Sequence, residues 1–527
     1  MAITEIDAPT LKAWLSDGGE IALLDVREAG QFGEGHPFFA VPLPYSRLEL
    51  GLADLVPNPN VRLVLTDGGD GTAARAAQRA EEAGYRNPHI LEGGADGWRR
   101  AGYTLYAGVN VPSKTFGELI EHRRQTPCVT AAELQAMRES GENMVIVDGR
   151  PFAEYHRMNI PDGICCPNGE LALRIRDIAP DPSTKIVVNC AGRTRSIIGA
   201  QTLIDFGVPN PVFALENGTQ GWFLAGLQVE RGASRRHLVS PPRNMRGLAA
   251  NARSLADQHG VGWVAPEEAH GWLADRSRTT YLFDVRTSEE FAASGVPGFV
   301  HAPGGQLIQA TDQWVGVRGA RLVLLDDEQV RAPVVATWLR QLGHEAWVLN
   351  GDVAAAAMLS WQRPAAAPPA ALPTITPGKA AAAMAAGSAR IIDLRPGMTY
   401  RKGHIAGSTW SIRPRAAALA EADKTLVLVS DEPGVAALAA RDLAEAGAKD
   451  VRQLAGGFGA WHAERLPVAE TPHVPSDADC IDFLFFTARR HDGDAAAARQ
   501  YLTWEQGLIT QLDAQERGVF FPMDQDA

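Results

Sequence analysis

The chain of 527 residues contains only five cysteines: Cys128, Cys165, Cys166, Cys190 and Cys480. So few, and an odd number, do not make a disulfide framework, and reduced thiols in a cytoplasm are the simplest reading. There is no Cys-x-x-Cys pair and no histidine cluster at metal-ligand spacing, so neither a metal nor another cofactor is expected. Positive charge is in deficit: 50 Lys and Arg stand against 62 Asp and Glu, a net charge of −12. That argues against nucleic acid or an anionic membrane as partner, since both want a basic face. No apolar run approaches the ~18 residues that span a bilayer. The start, "MAITEIDAPT", lacks the basic and apolar stretches of a secretion signal. Small molecules remain as partners, with a homodimer as the protein contact to be considered.

What the chain has is one pattern four times. "LLDVRE", "IVDGRP", "LFDVRT" and "IIDLRP" each end an apolar run in Asp-x-Arg, as a buried parallel strand ends before a loop. An aromatic follows (Phe32, Tyr155, Phe291, Tyr400), then a Gly/Pro/His turn and a second strand: "RLVLTD", "KIVVNC", "RLVLLD", "TLVLVS". A helical stretch then closes on Gly84, Gly207, Gly343 or Gly447. Three repeats finish with a Gly-rich turn and Trp; the third keeps only "NGD". Counting back 17 residues from each closing glycine reaches Asp67, Cys190, Asp326 and Ser430. These positions are equivalent, and one of them carries a thiol. Strands alternating with helices at this spacing predict an α/β protein of four tandem domains, each a parallel sheet with helices on both faces. The expected domains are 1–107, 125–231, 258–363 and 374–470. Polar connectors cover 106–128 and 231–262, and a Pro/Ala linker covers 364–377. A helical tail covers 473–527; in it Tyr501, Trp504, Leu508 and Leu512 form an apolar stripe expected to pack onto the last domain or back onto the second.

Cys190 stands where a strand passes into a helix, in "VVNCAGRTRSIIGA". The thiolate is the reactive form of cysteine, and a helix N-terminus and nearby cations favour it. Gly192 lets the loop curl so that successive N–H groups converge on one point. Arg193 and Arg195 add positive charge that suits an oxyanion. Asp148 and Arg150 recur in the repeats without cysteine, which marks them as a structural brace.

The Asp-x-Arg strand, the turn of "YRKGHIAGS", the strand–Cys–loop–helix and the Gly-Gly-x-x-x-Trp ending resemble rhodanese domains, the sulfurtransferase fold. The resemblance implies that Cys190 is the nucleophile and that Ala191, Gly192, Arg193, Thr194, Arg195 and Ser196 form the substrate cradle. It implies transfer of sulfane sulfur from a donor such as thiosulfate, through a persulfide, to cyanide or a thiol. It also implies pairing of silent and active domains, here repeats one with two and three with four. Cys165 and Cys166 are candidates for a sulfur relay, and Arg174 for a further contact to the donor. The alternatives are a phosphatase, which the short loop disfavours, a non-enzymatic scaffold or sensor, and a sulfurtransferase using mercaptopyruvate or a small persulfide. Asp67 and Asp326 are expected to fill their own loops with a carboxylate. Ser430 is neutral, so its loop is open to a small anion that it would not react with, an expectation that Asp431 and Glu432 beside it weaken.

Overall fold

A computed structural model describes residues 4–237, 244–363, 368–490 and 493–521. Parts of the second connector (238–243), of the Pro/Ala linker (364–367) and of the tail (491–492, 522–527) lie outside the described residues. No helix among the described residues is long and apolar enough to cross a membrane.

Each repeat builds its own sheet. In the second, the strands run Cys128–Val129, Val212–Leu215, Lys185–Asn189, Met144–Asp148 and Ile164–Cys165, all parallel. The central strand is apolar on both faces because both are covered. Ile186 and Val188 meet Leu171, Ala200 and Leu203 on one side, while Val187 meets Leu134, Leu215 and Trp222 on the other. The strand alternation puts successive residues into two separate cores. In all four repeats the Arg of Asp-x-Arg turns back on its Asp. Arg150 donates to Asp148 at 2.9 and 2.7 Å, and Arg27, Arg286 and Arg395 do the same. Arg150 also caps the Met158 carbonyl, so the brace closes the loop that follows the strand.

The domains do not pair in chain order. Repeat two packs on repeat three, and repeat one on repeat four, which replaces the expected one-with-two and three-with-four pairing. Repeats two and three share a register offset of 136 residues from Asp148/Asp284 to Gly207/Gly343. Contacts across their interface join equivalent residues, as a pseudo-two-fold axis requires. Trp338 donates to Thr202 at 2.9 Å, and a Cβ on Gly169 would stand 2.9 Å from the Gly305 nitrogen, as one on Gly305 would from the Gly169 nitrogen. Only glycine allows the two backbones to meet there. The same relation joins repeats one and four: Arg413 donates to the Tyr45 carbonyl at 2.9 Å, and Arg79 pairs with Asp442 at 2.9 Å. Within each of these couples, both residues occupy the same place in their repeat. The two pairs are nested in the chain. A short strand of the third repeat, Val317–Arg318, also extends the first sheet antiparallel to Ile21–Asp25.

The connectors hold helices Val111–Arg124 and Met245–Gln258. The tail forms helix Ala495–Gly507, flanked by short turns at Phe485–Ala488 and Ala514–Arg517. This helix, which carries the apolar stripe, returns to the second domain and its connector, while the start of the tail stays on the last domain, where Arg401 donates to the Pro475 carbonyl and Gly397 N–H to Asp482. Trp504 donates to the Ala107 carbonyl at 2.9 Å, and Leu508 is buried in the core shared with the first connector helix.

Candidate active site

Cys190 ends the strand Lys185–Asn189 and is 2% exposed. Helix Thr194–Asp205 begins four residues later. The loop between is pinned from behind by the Gly-rich turn that closes the repeat. Thr219 N–H donates to the Cys190 carbonyl at 2.8 Å, and Gln220 N–H to Ala191 at 3.1 Å. Gly218, at φ 54°, lies so close that a Cβ would stand 2.3 Å from the Cys190 carbonyl oxygen. The recurring Gly-Gly-Trp ending is thereby explained: its second glycine holds the loop, and Trp222 anchors the turn in the core.

The silent repeats show what the loop does with an anion. In repeat three the Asp326 carboxylate accepts from the N–H groups of Gln329, Val330 and Arg331 at 3.2, 2.9 and 2.8 Å. In repeat one Asp67 accepts from Gly69 at 2.8 Å and Ala73 at 2.9 Å. These positions correspond to Arg193, Thr194 and Arg195, and to Gly192 and Ser196, around Cys190. In repeat two the N–H groups of Thr194, Arg195 and Ser196 have no acceptor among the described residues. A sulfur anion on Cys190 would occupy the place of the carboxylate. In repeat four the Ser430 hydroxyl is used locally, with the Glu432 carbonyl and N–H at 2.9 and 3.1 Å. Proline at 433 removes an N–H from the helix start. Converting Asp67 to Cys in a Cys190→Ser background is therefore expected to yield under roughly a hundredth of the parent thiocyanate production, because its "CGGDGTA" loop has no arginine. A thiocyanate assay on purified protein checks this, and near-parental activity would refute it.

The two loop arginines do not extend freely toward a substrate. Arg193 donates to both oxygens of Glu118, on the connector helix, at 2.7 and 2.9 Å, and pairs with Glu121. Burial works against its charge, and these carboxylates more than offset it. Arg195 is held by Glu154 through two contacts of 2.8 Å, and by Gln306 of the third repeat at 3.2 Å. Both guanidiniums are braced by carboxylates, and both stay on the wall of the pocket beside the thiol. Ser196 donates to the Arg193 carbonyl at 2.8 Å, inside the helix start, and is not aimed at the sulfur.

Cys190, Ala191, Gly192, Arg193, Thr194 and Arg195 line a pocket of about 320 Å³. Its other walls come from elsewhere in the chain: Asn110 and Lys114 from the connector, Gln306, Gln309 and Gln313 from repeat three, and Arg490, Tyr501, Trp504 and Glu505 from the tail. Glu505 is fully buried. It accepts from Lys114 at 3.0 Å and from the Thr194 hydroxyl at 2.6 Å. Burial pushes its carboxyl up, but Lys114 and Thr194 prevail and hold it below the ordinary value. The cations on the pocket wall are Lys114, Arg193, Arg195 and Arg490, against the carboxylates Glu154 and Glu505.

Cys165, Cys166 and Arg174 do not line this pocket, which corrects their candidacy for relay and donor binding. The Cys165 thiol faces the Arg150 carbonyl at 3.5 Å, and burial pushes it up to about 12. Cys166 is packed in the core beside Leu171 and Ile186, and burial raises it well above the ordinary thiol value. Arg174 is buried against Glu170 at 3.3 Å. We expect Cys165→Ala and Cys166→Ala to keep kcat/KM within about twofold, with Cys166→Ala costing about 1 kcal/mol of stability for its lost packing. A tenfold loss of activity in either would restore the relay. Sequence reasoning missed Lys114, Glu118, Gln306 and Glu505, since each lies outside the second repeat.

The model of the rhodanese-like domain matches residues 7–101, 130–225, 265–358 and 376–464. A crystal structure of thiosulfate sulfurtransferase from Pseudomonas aeruginosa is 41% identical, over 98% of this chain and 99% of that one, with a TM-score of 0.88. The HTH-type transcriptional regulator Rv0324 of Mycobacterium tuberculosis is 37% identical over 105 residues, 20% of this chain. That match spans 45% of the regulator, less than half its length.

Proposed function

The chain belongs to the family of rhodanese-like domains, and from that premise we propose that it moves sulfane sulfur from thiosulfate to a thiophilic acceptor through a persulfide on Cys190. The observation that carries this is the set of N–H groups at Thr194, Arg195 and Ser196 that have no acceptor among the described residues, in a loop whose counterpart in repeat three closes on the Asp326 carboxylate at the position equivalent to Cys190. In the first half-reaction the Cys190 thiolate attacks the outer sulfur of thiosulfate. The sulfur–sulfur bond breaks, and sulfite leaves with the electron pair. The persulfide anion then sits among the loop N–H groups, which are already oriented and need no rearrangement as charge arrives. In the second half-reaction cyanide or an acceptor thiolate attacks the terminal sulfur, and Cys190 leaves as thiolate. This is two-step covalent catalysis.

Thiosulfate is favoured as donor by the pocket's charge and by likeness to a thiosulfate sulfurtransferase over nearly the whole of both chains. The test is a donor panel with cyanide as the common acceptor. Thiosulfate should show the highest kcat/KM, ahead of mercaptopyruvate and a glutathione persulfide. A preference of tenfold or more for either of these would replace the donor while keeping the carrier.

A further inference from the structure

The pseudo-two-fold axis between repeats two and three places each half of the pair opposite an image of itself, so the silent half serves as an internal reference for the active one. Arg195 and Arg331 are equivalent, 136 residues apart, and so are their partners Glu154 and Glu290. Both ion pairs are present: Arg195 with Glu154 at 2.8 Å, and Arg331 with Glu290 at 2.6 and 3.0 Å. A positive group at this point of the loop, clamped by that glutamate, is therefore common to both repeats and independent of the thiol.

The rest of the surroundings differ. Arg331 is also held by Glu170, reaching across from repeat two at 3.0 Å, and by Glu328 at 2.5 Å. The symmetry mates of these two carboxylates are Gln306 and Gly192. Gln306 reaches across from repeat three and touches Arg195 at 3.2 Å, the counterpart of the contact Glu170 makes to Arg331. Gly192 offers no side chain, and a Cβ there would approach Glu505 and Tyr501 at 3.1 and 3.2 Å. Hence three carboxylates surround the silent arginine, Glu170, Glu290 and Glu328, with Asp326 in its loop. One carboxylate, Glu154, holds the active arginine. The tail does bring Glu505 to the active side, but it arrives with its own counterion, Lys114.

We infer that Gln306, supplied by the silent third repeat, is a specificity-determining residue: a neutral amide standing where the fold's symmetry places a carboxylate, so that no second negative charge joins Glu154 at Arg195 to repel an anionic donor. This rests on the proposed sulfur transfer at Cys190 and adds a reason for the third domain's presence. The amide orients Arg195 as the glutamate orients Arg331, without adding a negative charge. Across the axis the glutamate adds one to that of Glu290, and that loop accommodates its own aspartate in place of an external anion.

The experiment uses the full chain with Gln306→Glu, nearly isosteric, and with Gln306→Met, which removes the hydrogen bond but adds no charge. Initial rates are measured with cyanide as acceptor and two sulfane donors, thiosulfate with two negative charges and benzenethiosulfonate with one. Gln306→Glu should raise KM for thiosulfate about tenfold, the size of one unfavourable charge at partly screened contact distance. KM for benzenethiosulfonate should rise by a smaller factor, and kcat should change less than KM for both. Gln306→Met should raise the thiosulfate KM by less than Gln306→Glu does. Retained helical circular dichroism and an unchanged melting midpoint establish that both variants fold. An unchanged thiosulfate KM in Gln306→Glu overturns the inference, as does an equal rise for the two donors or an equal rise in the Met variant. If the parent protein itself forms no thiocyanate from either donor, the proposed function fails and the inference with it.

Discussion

Cys190→Ser is expected to lower thiocyanate formation by three or more orders of magnitude, since it removes the group on which both proposed half-reactions turn. A serine hydroxyl at that position cannot displace sulfite or carry a transferable sulfur. The fold should survive the change. Serine is close in size to cysteine, and the loop is held by backbone contacts from Thr219 and Gln220 that do not involve the side chain. None of the other four cysteines is placed to take over. Cys165 and Cys166 are buried away from the pocket, and neither Cys128 nor Cys480 is on its wall. Residual turnover above a few per cent of the parent would mean that another thiol carries sulfur.

Glu505→Ala should have the next largest effect, on the docking of the tail and through it on the loop. Lys114 and Glu505 form a buried ion pair, and the alanine leaves the ammonium buried without its carboxylate. Breaking such a pair from one side costs about 3–5 kcal/mol. Thr194, the first residue of the active helix, loses the acceptor of its hydroxyl at the same time. Amide exchange in the tail helix should quicken by about a hundredfold or more as local opening becomes easier. The kcat/KM should fall about tenfold, because the residue that opens the helix behind the thiol is no longer fixed from outside. Replacing both partners, Lys114→Met with Glu505→Leu, should recover most of the protection, since an apolar pair of similar volume is often no less stable than a buried ion pair. It should not recover the full activity. If Glu505→Ala leaves both exchange and activity unchanged, the tail is not part of the site.

The four-domain α/β organisation was legible because it is written in local repeats: Asp-x-Arg, strand and helix recur in one order in all four, and a Gly-rich turn with Trp closes three of them. The candidate nucleophile was legible for the same reason, since four equivalent positions differ in one atom type that can carry sulfur. The aspartates of the silent loops were readable as built-in anions because a carboxylate at a helix start has one obvious set of partners. What escaped was long-range. The nested pairing of two with three, and one with four, depends on which apolar and glycine surfaces meet, and Gly169 against Gly305 has no signature in either segment alone. The carboxylates that brace the two arginines, Glu118, Glu121 and Glu154, were not legible because they are 41 to 75 residues away in the chain. Glu505 lies more than 300 residues from Thr194. A pocket assembled from two repeats, a connector and the tail becomes visible only when the chain is folded.

The central claim is that sulfur passes through one atom of this chain, the Cys190 Sγ. The most direct measurement is the intact mass of the protein after a short incubation with thiosulfate and removal of excess donor, followed by peptide mapping and a chase with cyanide. The account predicts one added sulfur per chain, located on the peptide that contains Cys190, lost on cyanide addition with one equivalent of thiocyanate released, and absent from Cys190→Ser. Added sulfur on any other cysteine, or thiocyanate formed with no sulfur ever held on Cys190, would contradict it.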